Sequence, residues 1–139
     1  MAEYDSVSEM KVTEALPFAV HTVVSTGNSI NTLGFESLVF AIQAGTLGTG
    51  TADFIMQEAD DNGSGAPGAF TTVAAGDMIG TLPTILATDD NKSYRIGYIG
   101  KKQWVRINNL ETATWTSMIH GSIAILGNPK TGPVAAQVA

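Results

Sequence analysis

Residues 92–108, Lys92-Ser93-Tyr94-Arg95-Ile96-Gly97-Tyr98-Ile99-Gly100-Lys101-Lys102-Gln103-Trp104-Val105-Arg106-Ile107-Asn108, carry the alternation that decides the fold. Tyr94, Ile96 and Tyr98 share one face of an extended chain, and Arg95, Gly97 and Ile99 the other. After Gly100-Lys101-Lys102, Trp104 and Arg106 stand opposite Val105 and Ile107. Side chains that change face at every residue belong to strands, so this segment predicts two strands joined by a short turn, the clearest hairpin in the chain.

Working outward, the same period recurs. Glu36 to Ala44 sets Leu38, Phe40 and Ile42 against Val39, Ala41 and Gln43, one face core and the other mixed. Ala52 to Ala59 alternates Phe54, Met56 and Glu58 with Ile55 and Gln57. Phe18 to Val24 is rich in branched and aromatic residues and ends in the turn cluster Ser25-Thr26-Gly27-Asn28. Phe70 to Ala75 and Gly80 to Thr88 are weaker strands, the second confined by Pro83 to an edge or a strand start. Met78 to Leu82 has room for one helical turn. The long apolar stretch Thr112 to Leu126 contains Gly121, where a bend or bulge is expected. Asp60 to Gly68 and Asp89-Asp90-Asn91 read as turns, the first a mobile surface loop. No amphipathic helix exceeds two turns and no fixed-period repeat is present.

The reading is therefore all-β: about eight short antiparallel strands in a β-sandwich, jelly roll or small barrel. The expected organisation is an extended N-terminal arm over 1–16, a single β domain over 17–127 and a flexible C-terminal tail over 128–139. A chain of 139 residues has no room for two independent cores.

Composition narrows the function. Only 14% of residues are charged, well below the roughly 25% of ordinary soluble domains, which suits a surface partly covered by partners. The net charge of −6, with basic residues gathered only at Lys101, Lys102 and Arg106, argues against phosphate-backbone binding and hence against nucleic acid. Cysteine is absent, so neither a disulfide framework nor a thiolate metal site is available. The acidic first residues, with Glu3, Asp5, Glu9 and Glu14, lack the layout of a secretion signal. No apolar run approaches the roughly 20 residues of a membrane helix.

The chemistry-bearing residues point away from catalysis. His21 and His120 lie in β stretches without ligand spacing or a sequence-adjacent carboxylate, so structural or surface roles are expected. Asp60-Asp61-Asn62-Gly63 and Asp89-Asp90-Asn91 offer oxygens for Ca²⁺, yet lack the alternate acidic positions and closing Glu of a calcium loop; Asx turns explain both. Gly45-x-x-Gly48-x-Gly50 has the wrong glycine order for a dinucleotide loop and precedes a strand. Gly63-Ser64-Gly65 lacks nucleophile-elbow spacing. Tyr94, Tyr98, Trp104 and Trp115 are expected mainly in the core, with a sugar- or base-stacking platform as the alternative if Tyr98 and Trp104 share one exposed face. The expectation is a non-enzyme with no catalytic, cofactor-binding or metal residue and no cofactor.

The run Asp89 to Arg106 resembles small proteins encoded close to the major capsid gene of tailed bacteriophages, some of which are head decoration or cement proteins. Gly34-Phe35-Glu36-Ser37 at a strand start, Gln57-Glu58-Ala59-Asp60-Asp61 at a strand end and Ile123-Ala124-Ile125-Leu126-Gly127-Asn128-Pro129 extend the likeness over roughly residues 34–129. The acidic segment before Pro17 is not part of the pattern. The resemblance implies a virion structural protein, made in the host bacterial cytoplasm, that binds the outer face of the expanded capsid and stabilises contacts between capsomers. Its implied partners are the major capsid protein and itself, as a homo-trimer or homo-dimer, the trimer preferred because quasi-three-fold sites are common docking positions. A tail or head-completion ring component, or a carbohydrate-binding or adhesive β domain, is the alternative.

Overall fold

A computed structural model describes residues 5–113, 115–132 and 134. Among them ten strands follow in order: β1 (Met10–His21), β2 (Ile30–Asn31), β3 (Phe35–Leu47), β4 (Thr51–Ala59), β5 (Thr71–Thr72), β6 (Met78–Ile79), β7 (Ile85–Leu86), β8 (Ser93–Tyr98), β9 (Trp104–Ala113) and β10 (Met118–Pro129). The only helical pieces among the described residues are two 3₁₀ turns, Val7–Glu9 and Ala75–Asp77. The second lies just before the position expected for a helical turn, and Met78–Ile79 is strand.

The strands form two sheets, all pairs antiparallel. Sheet A has the order β1-β10-β3-β8-β6 and sheet B the order β2-β9-β4-β5, with β7 also paired to β4. Each sheet turns one apolar face inward. Leu38, Phe40, Ile42, Ile96, Ala124 and Leu126 of sheet A meet Ala52, Phe54, Met56, Val105 and Ile107 of sheet B in one buried cluster. The all-β, sandwich-like reading therefore holds, with ten strands in place of about eight, and β1, β3 and β10 are long.

Sequence expectations are corrected in several places. The second part of the arm over 1–16 is strand: Met10 to Leu16 is the first half of β1, paired with β10, and Ala15 and Leu16 are fully buried. Two register shifts flank Leu16, and they hid its alternation from the sequence. Pro17 falls within this irregularity on a strand that forms the edge of sheet A, where its missing N–H leaves no ladder bond unmade. Residues 1–4 of the expected arm lie outside the described residues.

The hairpin over 92–108 does not form. β8 pairs with β3 in sheet A and β9 with β4 in sheet B, so the link Ile99 to Gln103 crosses between sheets. Alternation reports which side chains are buried, and both strands do face one core; it does not say which edge they pair with. The crossing is tied by Tyr98, whose hydroxyl donates to Glu58 Oε2 at 2.6 Å and accepts from the Lys102 backbone N–H at 3.0 Å.

The third correction concerns Thr112 to Leu126, which is two strands in different sheets. β9 ends at Ala113, and Trp115 to Ser117 carries the chain across to β10. The expected irregularity does fall at Gly121, which lies opposite the register shift between Leu16 and Ala19 of β1. A Cβ there would lie 2.5 Å from the Phe18 Cα, so the glycine lets the irregular part of β1 cross close over β10. Last, Asn128 and Pro129, expected in the tail, complete β10, and Lys130 N–H bonds Gly34 O at 2.8 Å. Tail residues 133 and 135–139 lie outside the described residues.

Phe18 to Val24 also ends earlier than expected, at His21. The following segment spans from the edge of sheet A to sheet B. Asn28 N–H bonds Ala15 O at 2.7 Å on β1, while Gly27 N–H bonds Asn108 Oδ1 at 2.9 Å on β9.

Candidate functional site

The two histidines, far apart in sequence, are brought together. Their rings stack with centroids 4.2 Å apart and planes 23° from parallel. His21 Nε2 lies 3.0 Å from Pro17 O and 3.1 Å from His120 O; two carbonyl acceptors require the proton on that nitrogen, which leaves Nδ1 to accept from Ser25 Oγ at 3.3 Å. Asn109 Nδ2 donates to His120 Nε2 at 3.0 Å, so the His120 proton sits on Nδ1, which has no well-formed hydrogen bond. Phe54 and Trp115 pack edge-on against His120. Burial, followed by the nearby His21, pushes the His120 imidazole down to about 4, opposed in part by the Met118 backbone. His120 is wholly inaccessible, and this arrangement packs and orients the end of the core.

The acidic turns spend their oxygens on the backbone. Asp61 Oδ2 accepts from Gly63 and Gly65 N–H and Oδ1 from the Trp104 indole at 3.0 Å; these bonds, the indole's first, hold the carboxyl below the usual range. Asn62 caps Ser64 in the same manner. Asp89 accepts from Leu86 N–H and pairs with Lys92 at 2.6 Å, while Asp90 accepts from Leu47 N–H. Asx-turn chemistry accounts for the first cluster; in the second the acids instead accept from Leu86 N–H, three residues back, and from the distant Leu47 N–H, so the expected Asx turn is not what spends them. Among the described residues no group of three or more His, Asp or Glu converges. Gly45 lies inside β3, and the chain resumes as β4, so the Gly45-x-x-Gly48-x-Gly50 run is a strand-to-strand connection.

The stacking platform is overturned. Tyr98 is buried on the inner face of sheet A, whereas Trp104 lies on sheet B with its indole committed to Asp61; Trp115 is buried with its indole on Thr51 O at 2.8 Å. Burial, then the bond to Glu58, pushes the Tyr98 phenol far above its ordinary value. The basic residues also separate. Lys102 pairs with Asp60, and the Arg106 guanidinium lies 3.9 Å from the Phe70 ring centre while bonding Gln57.

The outer faces of the sheets differ in kind. That of sheet B is mixed, carrying Asp53, Gln57, Arg106 and Asn108, most of them hydrogen-bonded to one another or to a neighbouring loop, beside the apolar Ile55 and Leu110. That of sheet A is apolar. Val12, Val20, Val39, Ala41, Ile119, Ile123 and Ile125 project from it, joined by Ile79 beside Gly97 and by Phe18, whose ring lies against the Gly45 and Ile119 surface. Phe18 is 60% exposed, Val20 57% and Ile79 61%, and a shallow groove of about 490 Å³ runs beside Phe18, Val12, Ala41 and Ile123. Among the described residues of the paired strands, charge enters this face through Glu14 and Arg95, and Gln43 and Ser93, hydrogen-bonded to each other, add a polar pair.

Sequence reading took the second face of Glu36–Ala44 as mixed and passed over the apolar face as a whole. The available signal was apolar runs on both faces, Leu38 to Ile42 and Ile123 to Leu126, in strands that pair antiparallel, where one solvated face is usual. Comparison with protein-family models, curated proteins and solved structures finds no match to this chain.

Proposed function

We propose that the chain is a virion structural protein that decorates the outer surface of an expanded phage capsid and holds neighbouring capsomers together. The observation that carries this reading is the apolar outer face of sheet A on a rigid β body. Contiguous exposed apolar patches beyond a few hundred Å² are uncommon on proteins that work alone and mark surfaces that meet another protein. The likeness of residues 34–129 to phage proteins encoded beside the capsid gene supplies the partner class. Such a protein stabilises the shell by mass action, because it binds the assembled lattice in preference to separated capsomers.

Purified chain mixed with expanded shells should co-sediment at a copy number near that of the major capsid protein. Scarce, ring-like stoichiometry would instead indicate a tail or head-completion component. Absence from particles altogether would overturn the virion reading.

A further inference from the structure

The outer face of sheet A is complementary to itself. Its strands are aligned so that one row crosses four of them: Glu14 on β1 sits beside Ile123 on β10, Ile123 beside Ala41 on β3, and Ala41 beside Arg95 on β8. The adjacent outward row reads Val12, Ile125, Val39, Gly97 and then Ile79 of β6. An acid thus closes one end of the central row and a base the other, with a large and a small apolar side chain between them. Both charged residues are exposed, and among the described residues neither forms an ion pair; Glu14 has only a neutral contact, from Asn28 Nδ2 at 3.2 Å.

A two-fold axis between two facing copies, parallel to the strands and midway between β10 and β3, reverses the order of each row. Glu14 of one copy then lies over Arg95 of the other, and Ile123 over Ala41. In the next row Val12 meets Gly97, and Ile125 meets Val39. Ile123 and Val12 each face a small residue while Ile125 and Val39 meet as two branched side chains, and both charges are neutralised at the rim, where water still reaches them. Sheets stacked face to face sit about 10 Å apart, within reach of an opposed Glu and Arg. The four strands are about 4.8 Å apart and share at most the six-residue length of β8, at about 3.4 Å per residue, so the common face is about 400 Å².

We infer that the chain forms an isologous homodimer by packing the outer face of sheet A on the same face of a second copy. The inference concerns the chain with itself and stands or falls apart from the shell. A two-fold pair is preferred to the trimer expected from the resemblance, because only a two-fold lays a row over its own reverse.

Sedimentation velocity of the full chain across the micromolar range tests it. The expected result is a dimer that the single reversals Glu14→Arg and Arg95→Glu each weaken about tenfold or more through like-charge contact, and that the double variant restores to within about threefold. Ala41→Glu, which places a charge at the centre of the face, should give a monomer that melts near the parent temperature. A monomeric parent, a trimer, or a dimer indifferent to the single reversals would overturn the inference, as would a double variant no tighter than the singles. Shell co-sedimentation of the same proteins separates the two readings. A monomer that binds shells refutes the dimer alone, and a charge-sensitive dimer that ignores shells refutes the capsid reading alone.

Discussion

At the residue scale, His120 ties stability to pH. Its folded value of about 4 lies below the ordinary imidazole value of 6.5, so between these limits the unfolded chain binds more protons than the folded one. Stability contributed by the neutral ring is complete above about pH 6.5 and is lost as pH falls toward 4, by on the order of 3 kcal/mol. Asp61 and Asp89, held low by the Trp104 indole and by Lys92, lose their contribution only below the ordinary carboxylate value of 3.8, so the two windows separate. Urea midpoints from pH 7 to 4.5 should therefore fall, and His120→Asn should flatten that slope; an unchanged slope would contradict the assignment. Gly27 sets a second constraint. A Cβ there would stand 2.0 Å from Ile107 O and 2.7 Å from Ala15 O, both backbone atoms that cannot turn away. Gly27→Ala should cost about 2 kcal/mol or more, while Gly76→Ala, with nothing within 4 Å, should stay within about 0.5 kcal/mol in the same denaturant titration.

At the scale of the elements, the crossings between sheets are the weak points. Tyr98 joins β8 of sheet A to Glu58 of sheet B and anchors the Lys102 backbone. Tyr98→Phe removes both hydrogen bonds and should lower stability by about 1–2 kcal/mol without altering the far-ultraviolet spectrum. Truncation before Met10 should be tolerated, since the Val7–Glu9 turn buries nothing, whereas truncation to Pro17 removes Ala15 and Leu16 from the core and should abolish the cooperative melt. Such elements also show what was legible in the sequence. Leu38, Phe40 and Ile42, and Phe54 and Met56, alternate regularly, and their strands stood within a few residues of their true bounds. The second half of β1 was seen and the first was not, because register shifts around Leu16 and an edge proline interrupt the period. The pairing of β8 and β9 with partners distant in sequence was hidden, since local alternation is the same for a hairpin and for a crossing. The histidine stack was illegible for a similar reason: it is made where β1 meets β10, by a long-range register no local pattern contains.

Taken whole, the molecule is a β body with unequal sides. Sheet B turns outward a mixed face whose polar side chains are hydrogen-bonded, and sheet A turns outward a more apolar face that the other described residues leave largely open. A low charge density supplies little to keep such a face apart from another protein, and Glu14 and Arg95 attract as readily as they repel, according to orientation. In the proposed dimer this face is the contact surface, and assembly is where its energy is recovered. Hydroxyl-radical footprinting of the dilute chain against the assembled form tests this most directly. The expected result is protection of Phe18, Ile123 and Ile125 on assembly, with Ile55 and Leu110 on sheet B unchanged. Equal reactivity of Phe18, Ile123 and Ile125 in both states would contradict it.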